Sequence, residues 1–394
     1  MSRLSDAELD DLKARNPLRD WAEQYGVTLR KAGRKLAGPC PMCGGKKRNG
    51  RFEIFEDGAS WACAVCCDGG DVIKLVQLVE GVDFKAAVDR LGGVRAIDPE
   101  VAQRLAAARE AKQKKRDAEA AVYREAERKR LHDWWLASGE LRGTPAARYL
   151  EGRGLDLPAT LPGLRFHPEM PYFHGDVIDD FGRKSARVVH RGPAMLGAFF
   201  VDIDQQFGGL HITWIDDGDP PRKIALPDPD EPGELLPAKK MRGSKSGAYI
   251  LIAPAAGVPR RLIIGEGIET VLAVHTALVR AGREISDTAC WAAGDLGNLA
   301  GPHAENVPHP ALKLPSGRPQ RQPGPVPDMT KPGLPIPDEV TELILLGDGD
   351  SEPVLTSHAM TRAARRYAKP GRTIRIAMAP AGMDFNDLLQ GEEG

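Results

Sequence analysis

The sequence predicts a multidomain protein, α+β in its first part and α/β in its last, and three observations carry that expectation. Two Cys-x-x-Cys pairs, Cys40/Cys43 and Cys63/Cys66, flank a short aromatic and basic stretch near the start. After Asp98-Pro99 comes a run rich in Ala, Arg, Lys and Glu, with helix-forming composition and few large apolar residues between Arg109 and Glu127. From Arg261 onward, apolar strand-like runs alternate with helical stretches, which argues for an open sheet with helices on its faces. The 394 residues allow about two to three domains. A hydrophobic content of 42% supports real cores. No apolar run approaches the roughly 20 residues that span a membrane.

Residues 1–30 read as a short helical lead-in with Leu12, Trp21 and Tyr25 as packing residues. The N-terminus is too charged for a signal peptide, so the compartment is expected to be reducing and the paired cysteines to be metal ligands rather than disulfides. Two knuckles at this spacing close a tetrahedral thiolate site that suits structural Zn2+. Cys66 and its neighbour Cys67 both qualify as the fourth ligand, with the pair spacing favouring Cys66.

Between the knuckles, Arg51–Phe55 alternates as a strand and Glu56-Asp57-Gly58 supplies a turn, so the metal would clamp a small ribbon. Phe52 and Ile54 are expected to pack inward, leaving Phe55 and Trp61 as faces for stacking. Asp71 reads as the N-cap of a helix over Val72–Glu80 stopped by Gly81, and Asp83–Leu91 as a second helix. The charged run up to Trp135 is then a solvated helical linker. Thr144 to Ile252 reads as short strand-rich segments. Residues 301–338, dense in proline, read as an inserted loop.

Net charge is −1, so the chain is not a polycation, but Lys46, Lys47, Arg48 and Arg51 crowd the cysteine segment. Three acidic clusters follow strand-like runs near the other end: Glu266-Gly267-Ile268-Glu269, Asp348-Gly349-Asp350, and Asp384 with Asp387 after Gly382. Ligands of open α/β sheets collect at the carboxyl ends of the strands, where these acids would sit. Crowded carboxylates repel unless cations neutralise them, and hard oxygen ligands suit Mg2+ or Mn2+.

Glu266-Gly267, Asp348-Gly349-Asp350 and the Asp384 cluster, in that order, resemble the Toprim fold of primases and topoisomerases. Cys63-Ala64-Val65-Cys66-Cys67-Asp68-Gly69-Gly70-Asp71 resembles the CHC2-type zinc domain of DnaG-type primases. Between them, Ala147–Leu155 is similar to the opening of that family's polymerase domain, and His211-Ile212-Thr213 and Pro237–Met241 to segments just before Toprim in phage and plasmid primases. The resemblance implies a zinc-ribbon template-binding domain over 1–95, a linker over 96–140, the N-terminal subdomain of the polymerase core over 141–258 and a Toprim domain over 259–394. It implies Glu266 as catalytic glutamate, with Glu266, Asp348, Asp350 and Asp384 holding Mg2+ or Mn2+.

Arg153 and Lys240 match basic positions facing template or nucleotide, and Lys239, Arg242 and Lys245 extend that surface. Lys46, Lys47 and Arg51, with Trp61, would grip template. The chain departs from the family at Thr270, where Asp is usual, at Cys43, where His is usual, and at Asn386, where a further acid is frequent. Glu269, one step before Thr270, is held as a weak candidate ligand.

The implied function is a DNA primase that makes short RNA primers from ribonucleoside triphosphates on single-stranded DNA. A Toprim nuclease and a catalytically degenerate zinc/DNA-binding protein are the alternatives. No Gly-x-x-x-x-Gly-Lys-Ser/Thr motif occurs, and little chain follows Asp384, so a separate replicative helicase is expected as partner. The expected location is the cytoplasm of a bacterial or phage-infected cell, with no membrane partner.

Overall fold

The computed structural model describes residues 4–32, 35–44, 52–66, 68–94, 99–178, 184–314 and 317–391. Lys46, Lys47, Arg48, Arg51 and Cys67 lie outside the described residues. The chain divides into two compact units, residues 1–120 with 306–323, and residues 121–305 with 324–394.

The first unit opens with α1 (Asp6–Arg15) and α2 (Leu18–Gln24). Ser5 and Glu8 form a reciprocal capping box at the start of α1. Five short strands follow, β1 (Arg30–Ala32), β2 (Lys35–Gly38), β3 (Phe52–Ile54), β4 (Trp61–Cys63) and β5 (Asp68–Gly70), paired antiparallel in that order. The Asp71 carboxylate accepts from Lys74 N and starts α3 (Val72–Glu80). Gly81, at φ 72°, ends it in the left-handed conformation that glycine adopts at little cost. α4 (Phe84–Arg90) is capped by Asp83 in the same way. Leu12, Phe52, Ile54, Trp61, Leu75 and Val76 close one core around these elements.

α5 (Pro99–Ala137) is solvent-facing over much of its length, with Val122 and Tyr123 exposed. Its last turns bury Leu131 and Trp135 in the core of the second unit. That unit continues with α6 (Pro145–Glu151) and three strands, β6 (Leu164–Ile178), β7 (Lys184–Phe200) and β8 (Phe207–Trp214). β6 and β7, at 15 and 17 residues, are longer than the segments the sequence suggests. Register shifts between His167 and Met170, and again between Phe173 and Asp176, hide the alternation of one continuous hairpin. The ladder of β9 (Leu226–Pro227) and β10 (Leu235–Leu236) precedes β11 (Lys239–Gly243), which completes an antiparallel sheet in the order β11-β8-β7-β6.

A second five-stranded sheet uses β12 (Ile250–Ala253), β13 (Arg261–Gly265) and β14 (Thr288–Ala292), with α7 (Ile268–Arg280) and α8 (Leu296–Ala300). β15 (Asn306–Lys313) and β16 (Pro319–Pro323) then form an antiparallel ribbon counted with the first unit. The sequence suggests a loop there, because prolines interrupt any periodicity. An isolated two-stranded ribbon tolerates them, since half of its N–H groups point away from the pair.

β17 (Glu342–Gly347), α9 (Pro353–Tyr367), β18 (Thr373–Met378) and α10 (Phe385–Gly391) finish the chain. The sheet order is β12-β14-β13-β17-β18, parallel except for β12. Leu262 and Ile264 pack with Met360 and Ala363 of α9, whereas Ile263 packs with Val271 and Leu272 of α7. Helices therefore cover both faces, which is why the strands are apolar without alternation. Arg362, 2% exposed, donates to the carbonyls of Gly301 and Gly324 at 2.9 and 2.6 Å and fixes the two ends of the segment that carries the ribbon.

Candidate functional site

The antiparallel pairing of β3 with β4 brings the two cysteine knuckles together. Cys40 Sγ lies 3.7 Å from Cys66 Sγ and Cys43 Sγ 3.8 Å from Cys63 Sγ. Thiolates at about 2.3 Å from a tetrahedral zinc stand about 3.8 Å apart, so the spacing fits the ion. The Cys66 backbone N–H donates to Cys63 Sγ at 3.5 Å, and Cys40, Cys63 and Cys66 are buried. Without an ion, hydrogen bonds from Cys40 and Cys66 hold the Cys63 thiol far below its usual range, and the same shared bonds push Cys40 and Cys66 up, so one thiolate is shared among three sulfurs. The four side chains form a site for structural Zn2+, and Cys66 is one of the four.

Trp61 is corrected by the structure. It is 1% exposed, its ring stacks on Phe52 at 5.1 Å, and its Nε1 donates to the Asp71 carbonyl at 3.0 Å. The indole is a core residue of the zinc module, with no face left for a base. Phe55 is partly exposed beneath the Lys35 ammonium, 4.9 Å from the ring centre.

Glu266 follows β13, Asp348 and Asp350 follow β17, and Asp384 precedes α10, all at the carboxyl edge of the parallel strands. Gly349 has no room for a side chain: a β-carbon there would meet the carbonyl oxygens of Pro380 and Ala379. Its N–H donates to the Met383 carbonyl and its carbonyl accepts from Gly382, so the loop bearing Asp384 is pinned to the loop bearing Asp348. Burial first, then Asp348, Asp295 and Asp350, push Glu266 up to about 7. Burial pushes Asp348 up to about 6, helped by Asp384, Asp350 and Asp387 and opposed by the Thr270 hydroxyl.

Asp348 Oδ1 is buried with no hydrogen-bond partner. A buried, unsatisfied carboxylate oxygen among mutually repelling acids is what a hard divalent cation would relieve. Among the described residues, only the four cysteines and His174/Asp228/Asp230 bring three or more such ligand atoms within 4.8 Å of one another. The acids are therefore more open than the thiols. His174, Asp228 and Asp230 are shared with Arg187, whose guanidinium lies 2.6 Å from Asp230.

The basic candidates among the described residues are placed on partners. Arg153 Nε donates to Asn386 Oδ1 at 2.7 Å while Asn386 Nδ2 returns a bond to the Arg153 carbonyl, so Asn386, fully buried, ties α10 to the segment after α6. Lys240 Nζ lies 3.9 Å from the centre of the Tyr172 ring and donates to the Phe173 carbonyl. Lys245 pairs with Asp295, and Lys239 with Glu269 at 3.3 Å.

Both carboxylate oxygens of Glu269 are taken by Lys239, Lys223 and Tyr149, which corrects the expectation of a metal ligand. Three participants escape the sequence. Asp295 raises Glu266, yet Asp-Leu-Gly after a strand looks like an ordinary helix cap, which it also is. Lys223 and Tyr149 reach Glu269 across long sequence distances that leave no local pattern.

Residues 4–106 match the CHC2 zinc finger family, and residues 125–252 match a domain of unknown function, DUF7146. A stretch of the chain is 30% identical over 89 residues to a DNA primase of Enterococcus faecalis, covering 23% of this chain and 14% of that protein. A DNA primase of Staphylococcus epidermidis is 32% identical over 90 residues with the same shares. The match thus spans about one-seventh of the length of these curated relatives. Among solved structures, the Aquifex aeolicus primase zinc-binding and RNA polymerase domains align over 98% of this chain and 83% of that one, at 14% identity and a TM-score of 0.34. A DnaG primase catalytic domain bound to single-stranded DNA aligns over 69% and 79%, at 14% identity and a TM-score of 0.36. Among the described residues, no helix is long and apolar enough to cross a membrane.

Proposed function

We propose that this protein is a DnaG-type DNA primase of the phage or plasmid kind, whose parallel sheet is a Toprim domain and whose zinc module engages single-stranded DNA. The observation that carries the reading is the pairing, in one chain, of a CHC2 zinc finger with strand-end acids that leave Asp348 Oδ1 buried and unpartnered. Glu266, Asp348, Asp350 and Asp384 would hold Mg2+ or Mn2+. That ion supplies charge neutralisation for a pentavalent phosphoryl transition state.

The chain's own groups do the rest. Glu266 would serve as the catalytic glutamate, either as a ligand of that ion or by accepting the proton of the attacking 3′ hydroxyl. Gly349 and the Met383 and Gly382 contacts hold the acids in fixed relation, so little reorganisation is needed as charge develops. Lys239, paired with Glu269 three residues after Glu266, would bring positive charge to the same edge, where triphosphate would lie. The template would run along Arg153, Lys240, Lys245 and the basic residues of the zinc module, Lys46, Lys47 and Arg51. A separate helicase would deliver it.

The test is ribonucleotide incorporation on a panel of single-stranded DNA templates with Mg2+ or Mn2+. Short RNA products from wild type that Glu266→Ala fails to make support the reading. Template cleavage without incorporation reassigns the acids to a nuclease, and neither product from any template removes catalysis altogether.

A further inference from the structure

We infer that Glu269 is the positioning residue of a polyphosphate-binding lip: its buried carboxylate holds the ammonium groups of Lys223 and Lys239 together beside Glu266, to receive the triphosphate of a nucleotide. The inference rests on the nucleotidyl-transfer reading and names a part of its substrate site.

Glu269 stands in the first turn of α7 and is 7% exposed. Its Oε1 takes the Lys223 ammonium at 2.8 Å and the Tyr149 hydroxyl at 2.9 Å, and its Oε2 takes the Lys239 ammonium at 3.3 Å. The two lysines come from neighbouring segments of one sheet. Lys239 opens β11 opposite Thr213 of β8, and Lys223 bridges to Ile215 just beyond β8. His211, buried on β8, is pushed down to about 4 by that burial and adds no charge at neutral pH.

The charge count is what separates a lip from an ordinary buried ion pair. One carboxylate requires one cation, and a tyrosine hydroxyl already satisfies part of it. A second ammonium leaves a surplus of one positive charge. Both lysine side chains remain about one-third exposed, at 34% and 38%, while the carboxylate between them is 9% exposed. The anchor is thus inside and the ammonium groups are at the surface, with donors free for an anion. Lysine ammonium groups bind phosphate as point charges, so two of them side by side suit a chain of phosphates. Glu269 lies in the first turn of α7, three residues after Glu266 at the end of β13, which puts this surplus at the strand end that carries Glu266.

The experiment uses the full zinc-loaded chain and has two readouts. Binding of inorganic tripolyphosphate, without added divalent cation, reports the lip alone. KM and kcat for ribonucleotide incorporation report its use. Glu269→Gln adds a net positive charge but leaves two repelling ammonium groups unanchored, so it is expected to weaken tripolyphosphate binding and raise KM by about tenfold, ~1.4 kcal/mol, with kcat changed less than about threefold. Glu269→Asp is expected to restore part of both. Lys223→Gln, at a partly exposed position, should reproduce the binding loss and serves if Glu269→Gln does not fold. Wild-type affinity for tripolyphosphate in a folded Glu269→Gln or Lys223→Gln protein overturns the lip, even if primers are made. Glu269-dependent tripolyphosphate binding in a protein that makes no primers upholds the lip and removes the primase reading instead.

Discussion

The Thr270 hydroxyl donates to Asp348 Oδ2 across 3.2 Å, while Oδ1 of the same carboxylate is buried without a partner. Thr270 occupies the place where the resembling family carries an acid. A hydroxyl there orients Asp348 and removes one negative charge from an already crowded edge. The result is a carboxylate with one oxygen fixed and the other open to a cation.

Burial, reinforced by crowding, gives the metal-free protein a specific pH dependence. Glu266 at about 7 and Asp348 at about 6 both lie above their ordinary values, so the folded state holds protons that the unfolded state has released. Stability without divalent cation therefore falls as pH rises from 3.8, the ordinary value of Asp348, to about 7. Glu266→Gln should flatten that fall and stabilise the metal-free protein at pH 8 by roughly 1–2 kcal/mol. Urea unfolding at pH 5 and pH 8 tests it, and an unchanged profile in the variant would contradict it.

The zinc module should behave as its own folding unit. Cys40→Ser is expected to lose zinc and the structure of the first unit, because a thiolate site holds together strands of three and four residues. Divalent binding at Asp348 should survive. Zinc content, and unfolding followed separately in each unit, would show it; loss of zinc that unfolds the entire chain is the opposing result.

Trp61→Ala should destabilise the first unit by roughly 3–5 kcal/mol, the usual range for deleting a buried large aromatic. Trp61→Phe should cost less, losing mainly the Nε1 bond to the Asp71 carbonyl. A stacking role would instead leave stability unchanged and lower affinity for single-stranded DNA.

Gly349→Ala should abolish divalent binding while Gly371→Ala does not, although Gly371 has the positive φ of 79°. The difference is space: nothing lies within 4 Å of a β-carbon at Gly371, whereas one at Gly349 drives into Pro380 and Ala379. Equal binding by both variants would show that the pinned loops do not matter.

Local signals in the sequence were sufficient wherever one short segment decides the outcome. The Asp71 cap, the Gly81 stop and the four cysteines depend on neighbours a few residues away, and the apolar runs before Glu266 and Asp348 reveal buried parallel strands by themselves. Trp61 was misread because an aromatic in a basic segment looks available until its strand is paired with β3. Glu269 was misread because its partners come from α6, from the loop after β8 and from β11, which only the assembled sheet brings together. The length of β6 and β7 was hidden by bulges that break the period of two.

The proposed primase chemistry requires the strand-end acids to hold a divalent cation through Asp348. Titration of Mn2+ into the zinc-loaded protein, followed by the paramagnetic resonance of the free ion, measures it directly. Wild type should bind Mn2+ in competition with Mg2+, with Asp348→Asn weakening it at least tenfold, ~1.4 kcal/mol. Equal Mn2+ binding by wild type and Asp348→Asn would contradict the account.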